Sequence, residues 1–264
     1  MSETFNINDL RKVYSENNAS LHEIELCYSR NPVLIKPLKI KDKKELLKSI
    51  ESKNESAVNR MLDTIIDKYV EYKNGDSINS MELTSQERQQ IMVNIRLASV
   101  VKDTIKIVHS CPSCEHVNKN IPYNVNDIVV DFYEKDDDSK DYIEVANETV
   151  KIFLKPMSRR KEIEIENIIK KRKYKTDSEK YFTMIAGVID KIVARIDDVE
   201  SEVSLTTEEI INFFDNLASS ELNKITEYFE NINFGVKLPL DFKCEKCGYE
   251  NDEEVVHATV FFIS

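Results

Sequence analysis

Glycine is scarce in this chain, with 4 in 264 residues. No GxGxxG or GxxxxGK[ST] segment can be found, which excludes a dinucleotide fingerprint and a phosphate-cradling P-loop. There is no G-x-S-x-G, no HExxH and no EF-hand loop, and tryptophan is absent. No apolar run approaches the ~20 residues of a membrane span, so no membrane partner is expected. The opening MSETFNINDLRKVYSENN has no apolar signal-peptide core, so residence in a cytoplasm is expected. Positive charge is in deficit: 37 Lys+Arg against 48 Asp+Glu give a net charge of −11. A protein that binds nucleic acid by neutralising phosphates is normally basic, at least regionally, so the balance argues against that class. Five cysteines, an odd number, argue against a disulfide framework. One of them, Cys27, sits in the alternating stretch HEIELCYS and reads as a buried small hydrophobe.

What is present is a globular composition, 41% hydrophobic and 32% charged. Residues 1–20 read as a polar arm with a short helix around Asp9 to Val13. Residues 22–38 read as extended, broken by Pro32 and Pro37. Helical patterns follow at 42–52 and 55–73; the second lines up Val58, Met61, Leu62, Ile65, Ile66 and Tyr69 and stops at the Asn74-Gly75 turn. Thr84 and Glu87 form a capping-box pattern that opens a helix over 85–100. Strands are expected at 103–110, 117–123 and 127–134, and a hairpin over 142–155 turning at Asn147. Helices at 158–174 and 178–194 come next, then VARIDDVESEV as strand or loop. Thr206 and Glu209 form a second capping box, opening a helix that carries Ile210, Phe213, Phe214 and Leu217. A further helix covers 220–231. The chain then becomes extended at VKLPLDFK and ends on EVVHATVFFIS, a strand.

Two segments carry chemistry: CPSCEHVN at 111–118 and CEKCGYEN at 244–251. Each is a Cys-x-x-Cys between predicted strands, followed by a short polar turn ending in Asn. This spacing lets two thiolates face one ion while turn amides bond to the sulfurs. Gly248 follows Cys247 where a left-handed backbone is often needed; Glu115 holds that place in the first motif, less comfortably. One pair cannot complete a tetrahedral site and two can. The expectation is therefore one structural Zn²⁺ held by Cys111, Cys114, Cys244 and Cys247. A Cys₃His site using His109 or His116 remains open, as does a redox pair, although a thioredoxin-like pair should open a helix. Against the Cys₃His rival, His109 and His116, like His22 and His257, read as ordinary surface or strand residues. Four thiolates leave no open position, so catalysis at the metal is not expected. The fold class is α+β: a helical body plus a split zinc ribbon whose two CxxC halves flank an α/β insertion. The expected divisions are the arm at 1–20, an extended lead-in and helical body at 21–102, the ribbon at 103–123 with 236–264, and the insertion at 124–235.

Two charge runs remain. EKDDDSKDYIE (134–144) reads as a solvated acidic loop. SRRKEIEIENIIKKRKYK (158–175) reads as a solvated helix whose lysines favour its C-terminal end, or as a docking surface for an acidic partner.

The order of parts resembles the baseplate hub and hub-assembly family of T-even-like contractile-tailed phages. The residues that carry the likeness are Pro37-Leu38, Leu83-Thr84, Ile95-Arg96, the Cys111/Cys114 and Cys244/Cys247 pairs, and Phe261-Phe262. The chain departs from that pattern in lacking a glycine after Arg96. The resemblance implies a non-enzymatic structural or assembly component of the tail baseplate. It would be assembled in the host cytoplasm and bound to other tail proteins, with homo-oligomerisation left open. The alternative class is a zinc-ribbon protein of nucleic-acid or transcription machinery, which the net charge disfavours.

Overall fold

The computed structural model describes residues 21–99, 104–134, 142–146, 149–174, 176–197 and 199–251. The arm with its short helix, the turn at Asn147, most of the acidic run, His257 and the closing strand with Phe261 and Phe262 lie outside these residues. The chain divides into two compact units. Unit 1 comprises Met1–Ser80, Gln86–Phe132 and Phe234–Ser264; unit 2 comprises Met81–Ser85 and Tyr133–Asn233.

Unit 1 begins with an antiparallel hairpin of β1 (His22–Glu25) and β2 (Pro32–Ile35). Val33 and Ile35 of β2 are buried, as the period of two requires. Helices α1 (Ile40–Glu51) and α2 (Glu55–Tyr69) pack against each other. Asn54 caps α2 by accepting the Ala57 amide at 3.1 Å. The Asp42 carboxylate of α1 takes Lys68 Nζ of α2 at 2.8 Å and also accepts the Tyr69 hydroxyl. Helix α2 ends four residues earlier than its apolar pattern predicts. Val70–Tyr72 instead form β3, the third strand of the sheet, with Val33 opposite Tyr72 and Ile35 opposite Val70. The free edge of β2 offers Val70–Tyr72 a ladder that local periodicity does not register. Asn74-Gly75 is still the turn, with φ +91° at Gly75.

Helix α3 (Ser85–Ala98) buries Ile91, Met92, Val93 and Ile95 together with Glu87, Arg88, Gln90 and Asn94. Its polar side chains act as a template for β1 and the chain that follows it. Gln90 accepts the Cys27 amide and donates to Glu25 O, both at 2.8 Å. Glu87 accepts the Ser29 amide at 2.9 Å, and Asn94 bonds His22 Nε2 at 3.0 Å. Arg88 reaches Asp63 of α2 at 2.5 Å in a pair that is nearly fully buried. Beyond α3, β4 (Thr104–Ser110) and β5 (Val117–Asn124) form a hairpin, followed by β6 (Val129–Asp131).

Unit 2 is built on an antiparallel sheet ordered β10-β9-β8-β7. Its strands are β7 (Tyr142–Val145), β8 (Val150–Leu154), β9 (Ile189–Ile196) and β10 (Val199–Val203). Between β8 and β9 run α4 (Arg159–Arg172) and α5 (Asp177–Ile185). Residues 189–194 correct the expected helix over 178–194. Ile185, Val188, Ile189, Ile192 and Val193 fit a helical stripe as well as a strand, and pairing with β8 and β10 decides for the strand. At the switch, a Cβ on Gly187 would stand 2.6 Å from Met157 Sδ, so only glycine fits there without displacing that side chain. Helices α6 (Thr207–Phe214) and α7 (Ser219–Glu230) complete the unit. Val145, Ile152, Ile185, Ile189, Ile192, Ile210, Phe214 and Ile225 are buried in one cluster. The Thr206–Glu209 capping box is present, and a second one, Thr176–Glu179, opens α5.

The chain returns to unit 1 through β11 (Gly235–Lys237), which pairs with β6, and then forms the two-stranded β12 (Phe242–Lys243) and β13 (Glu250–Asn251). The β6–β11 ladder joins the strand before the long excursion to the strand after it. Tyr28 stacking on Phe234 and Arg30 lying 4.2 Å over the Phe132 ring flank it. Among the described residues no helix is long and apolar enough to cross a membrane.

Candidate metal centre

Both Cys-x-x-Cys segments fold the same way, as loops between antiparallel strands. In the first, Cys111 N donates to His116 O at 2.8 Å and Glu115 N to Cys111 O at 2.9 Å. In the second, Cys244 N donates to Tyr249 O at 2.8 Å and Gly248 N to Cys244 O at 3.0 Å. The left-handed residue falls where the sequence places it: φ is +74° at Gly248 and +58° at Glu115. Glu115 therefore adopts a backbone that an L-residue visits at some strain. Neither pair opens a helix, so neither has the thioredoxin-like arrangement.

The loops meet. Cys111, Cys114, Cys244 and Cys247 place their sulfurs within 4.8 Å of one another. Cys111 Sγ is 3.7 Å from Cys247 Sγ, and Cys114 Sγ is 3.7 Å from Cys244 Sγ, across 136 and 130 positions of chain. A disulfide would need about 2.05 Å. Ligands at about 2.3 Å around a tetrahedral ion stand about 3.8 Å apart, so the observed spacing suits a metal and not a bond between sulfurs. Cys111 and Cys244 are buried, Cys114 is partly buried and Cys247 is exposed, so the cluster opens to solvent on one side.

The electrostatics agree with the spacing. Burial alone would raise the Cys244 thiol, but bonds from the backbone of Cys247 and Lys246, with Cys247 and Cys111 beside it, bring it down to about 6. At Cys114 the backbone of His116 favours the thiolate. Burial and bonding to the Cys247, Cys244 and Cys111 sulfurs outweigh it and push the thiol up to about 12. Cys114 thus retains its proton beside an ionised Cys244 unless a cation compensates the charge, as a divalent ion would. The donor set fits a soft or borderline metal held entirely by thiolates.

None of the described histidines is among the clustered ligands. His109 in β4 packs edge-on against Phe242, with centroids 5.3 Å apart, and burial lowers its pKa. His116 contributes its carbonyl to the first loop, and His22 is bonded to Asn94. Cys27 is fully buried far along the chain from the pairs, and burial, with Glu87 beside it, pushes its thiol up to about 12. Asn118 is the residue that sequence reasoning passed over. It is 1% exposed and touches both loops. The signal was present, since both segments end in Asn at the same offset, but nothing in the sequence says that Asn118 is buried. The basic end of α4 behaves as a solvated helix terminus: Lys170 pairs with Glu166 at 3.6 Å and Lys171 with Glu208 at 3.4 Å.

Fold and site together define an α+β protein with two compact units and a four-cysteine cluster able to hold a metal. The chain belongs to a family of known setting: the model for the T4 bacteriophage base plate protein matches residues 21–263. It is a T4-like phage baseplate protein, with the structural role in the tail that the family implies. No curated protein and no solved structure matches it.

Proposed function

We propose that this protein is a non-enzymatic component of the hub region of the phage baseplate, acting through contacts with other tail proteins and carrying one structural Zn²⁺. Cys111, Cys114, Cys244 and Cys247 would be the ligands, and the β4–β5 and β12–β13 hairpins the two halves of a split zinc ribbon. The observation that carries the metal reading is the 3.7 Å spacing of two sulfur pairs drawn from loops more than a hundred residues apart. The ion would lock together the two parts of unit 1 that precede and follow unit 2, doing at the loops what β6–β11 does with backbone hydrogen bonds. A structural zinc of this kind supplies on the order of 10 kcal/mol of apparent folding free energy. With all four positions taken by protein, it has no place for a substrate. The net charge of −11 disfavours the nucleic-acid alternative.

Two measurements test this. Native mass spectrometry of the purified chain should find one zinc, lost on unfolding in chelator; a metal-free chain with unchanged melting ends the structural-zinc reading. Quantitative and cross-linking mass spectrometry of purified particles should find the chain at a fixed ratio to hub proteins and cross-linked to them. Abundance in infected cells with absence from particles would make it an assembly factor. Cross-links confined to the baseplate periphery would overturn the hub assignment.

A further inference from the structure

We infer that Asn118 is the positioning residue that turns the two cysteine loops into one binding site, an inference that rests on the zinc reading above. Its carboxamide sits on β5 and is buried. Nδ2 lies 3.7 Å from Cys244 Sγ and 3.2 Å from His116 O, with His109 O at the margin of bonding at 3.5 Å. Oδ1 accepts the Glu245 amide at 3.0 Å. One side chain therefore holds a carbonyl of the first loop and both a ligand sulfur and a backbone amide of the second. A buried amide that loses such partners is left unsatisfied at a cost, so the partners fix where the second loop sits.

The link runs in one direction for a reason visible in the sequence. The matching hydrogen bonds within the loops, Cys111 N to His116 O and Cys244 N to Tyr249 O, make Pro112 the counterpart of Glu245. Proline has no N–H to offer. Only the second loop can present an amide at this place to the neighbouring hairpin, and Asn118 receives it. The same correspondence shows that proline is tolerated at this position of the loop.

The test compares full-length wild type with Asn118→Asp, Asn118→Ala and Glu245→Pro. Zinc affinity is measured by competition with a chromophoric chelator, and thiolate coordination by the charge-transfer absorption of the Co²⁺-loaded chain. Asn118→Asp keeps the acceptor for Glu245 N, loses the donor to Cys244 and adds a negative charge beside it. It should weaken zinc binding about 10- to 100-fold, as loss of an orienting partner outside the ligand set typically does, and alter the cobalt band. Glu245→Pro keeps the bond to sulfur and should weaken binding less, in the same direction. Variants that bind both metals like wild type, even with a lowered melting temperature, would reduce Asn118 to a space-filling residue and overturn the inference. Should Asn118→Ala fail to fold, Glu245→Pro decides, and unchanged affinity there overturns it as well. A wild type that binds neither metal would sink the zinc reading itself, a result distinct from wild-type binding with indifferent variants.

Discussion

Unit 2 and the cysteine-bearing part of unit 1 solve the same problem with different materials. In unit 2, three strands and three helices bury Val145, Ile152, Ile185, Ile192, Ile210, Phe214 and Ile225 in one apolar cluster. The cysteine loops hang on a two-stranded β4–β5 hairpin and a described β12–β13 ladder of two residue pairs. An isolated two-stranded hairpin is marginal in water. Elsewhere unit 1 buries polar and charged groups, Asp42, Asp63, Glu87, Arg88, Gln90 and Asn94, which must keep their partners. The difference teaches that unit 2 rests largely on non-directional burial, whereas the cysteine-bearing part of unit 1 depends on whatever compensates four clustered sulfurs, and the rest of unit 1 adds specific polar pairs to an apolar core of its own.

The comparison breaks most sharply at the metal centre. Cys244→Ser, or removal of the proposed zinc by a chelator, should remove on the order of 10 kcal/mol of apparent stability. Hydrogen exchange should then show protection lost over 104–124 and 242–251 while 149–229 stays protected. Simultaneous loss in both units would mean that the division is not one of stability. Next in size, Arg88→Met leaves Asp63 buried without its cation and should cost about 3–5 kcal/mol, read as a lowered urea midpoint of unit 1. In unit 2, Ile152→Ala should cost about 2–5 kcal/mol, with zinc still bound by mass spectrometry. The spread of that value reports how well the cluster closes around the cavity. Smallest, Thr206→Ala removes the acceptor for the Glu209 amide and should cost about 1 kcal/mol, measured by thermal melting.

The parts of this protein that could be read in advance are those fixed by neighbouring residues. Thr206 with Glu209 is a capping box because both partners lie within one turn. The left-handed positions at Glu115 and Gly248 follow from the loop that Cys-x-x-Cys imposes. The misread parts are strands decided by remote partners. Val70–Tyr72 and residues 189–194 carry apolar patterns compatible with helix, and they become strands because β2 and β8 offer them ladders. Asn118 belongs to the same class: its importance comes from Cys244 and Glu245, 126 and 127 positions away.

By itself, the sequence determined the Thr206–Glu209 cap, the turn at Asn74-Gly75, the two cysteine loops and the charge that disfavours phosphate binding, because each depends on side-chain chemistry within a few residues or on composition. Tertiary structure alone decided that the two loops meet with sulfurs 3.7 Å apart, that Asn118 is buried between them, and that α3 buries Glu87 and Arg88. These depend on segments far apart in the chain, and an amphipathic pattern states that a residue faces something without stating what it faces.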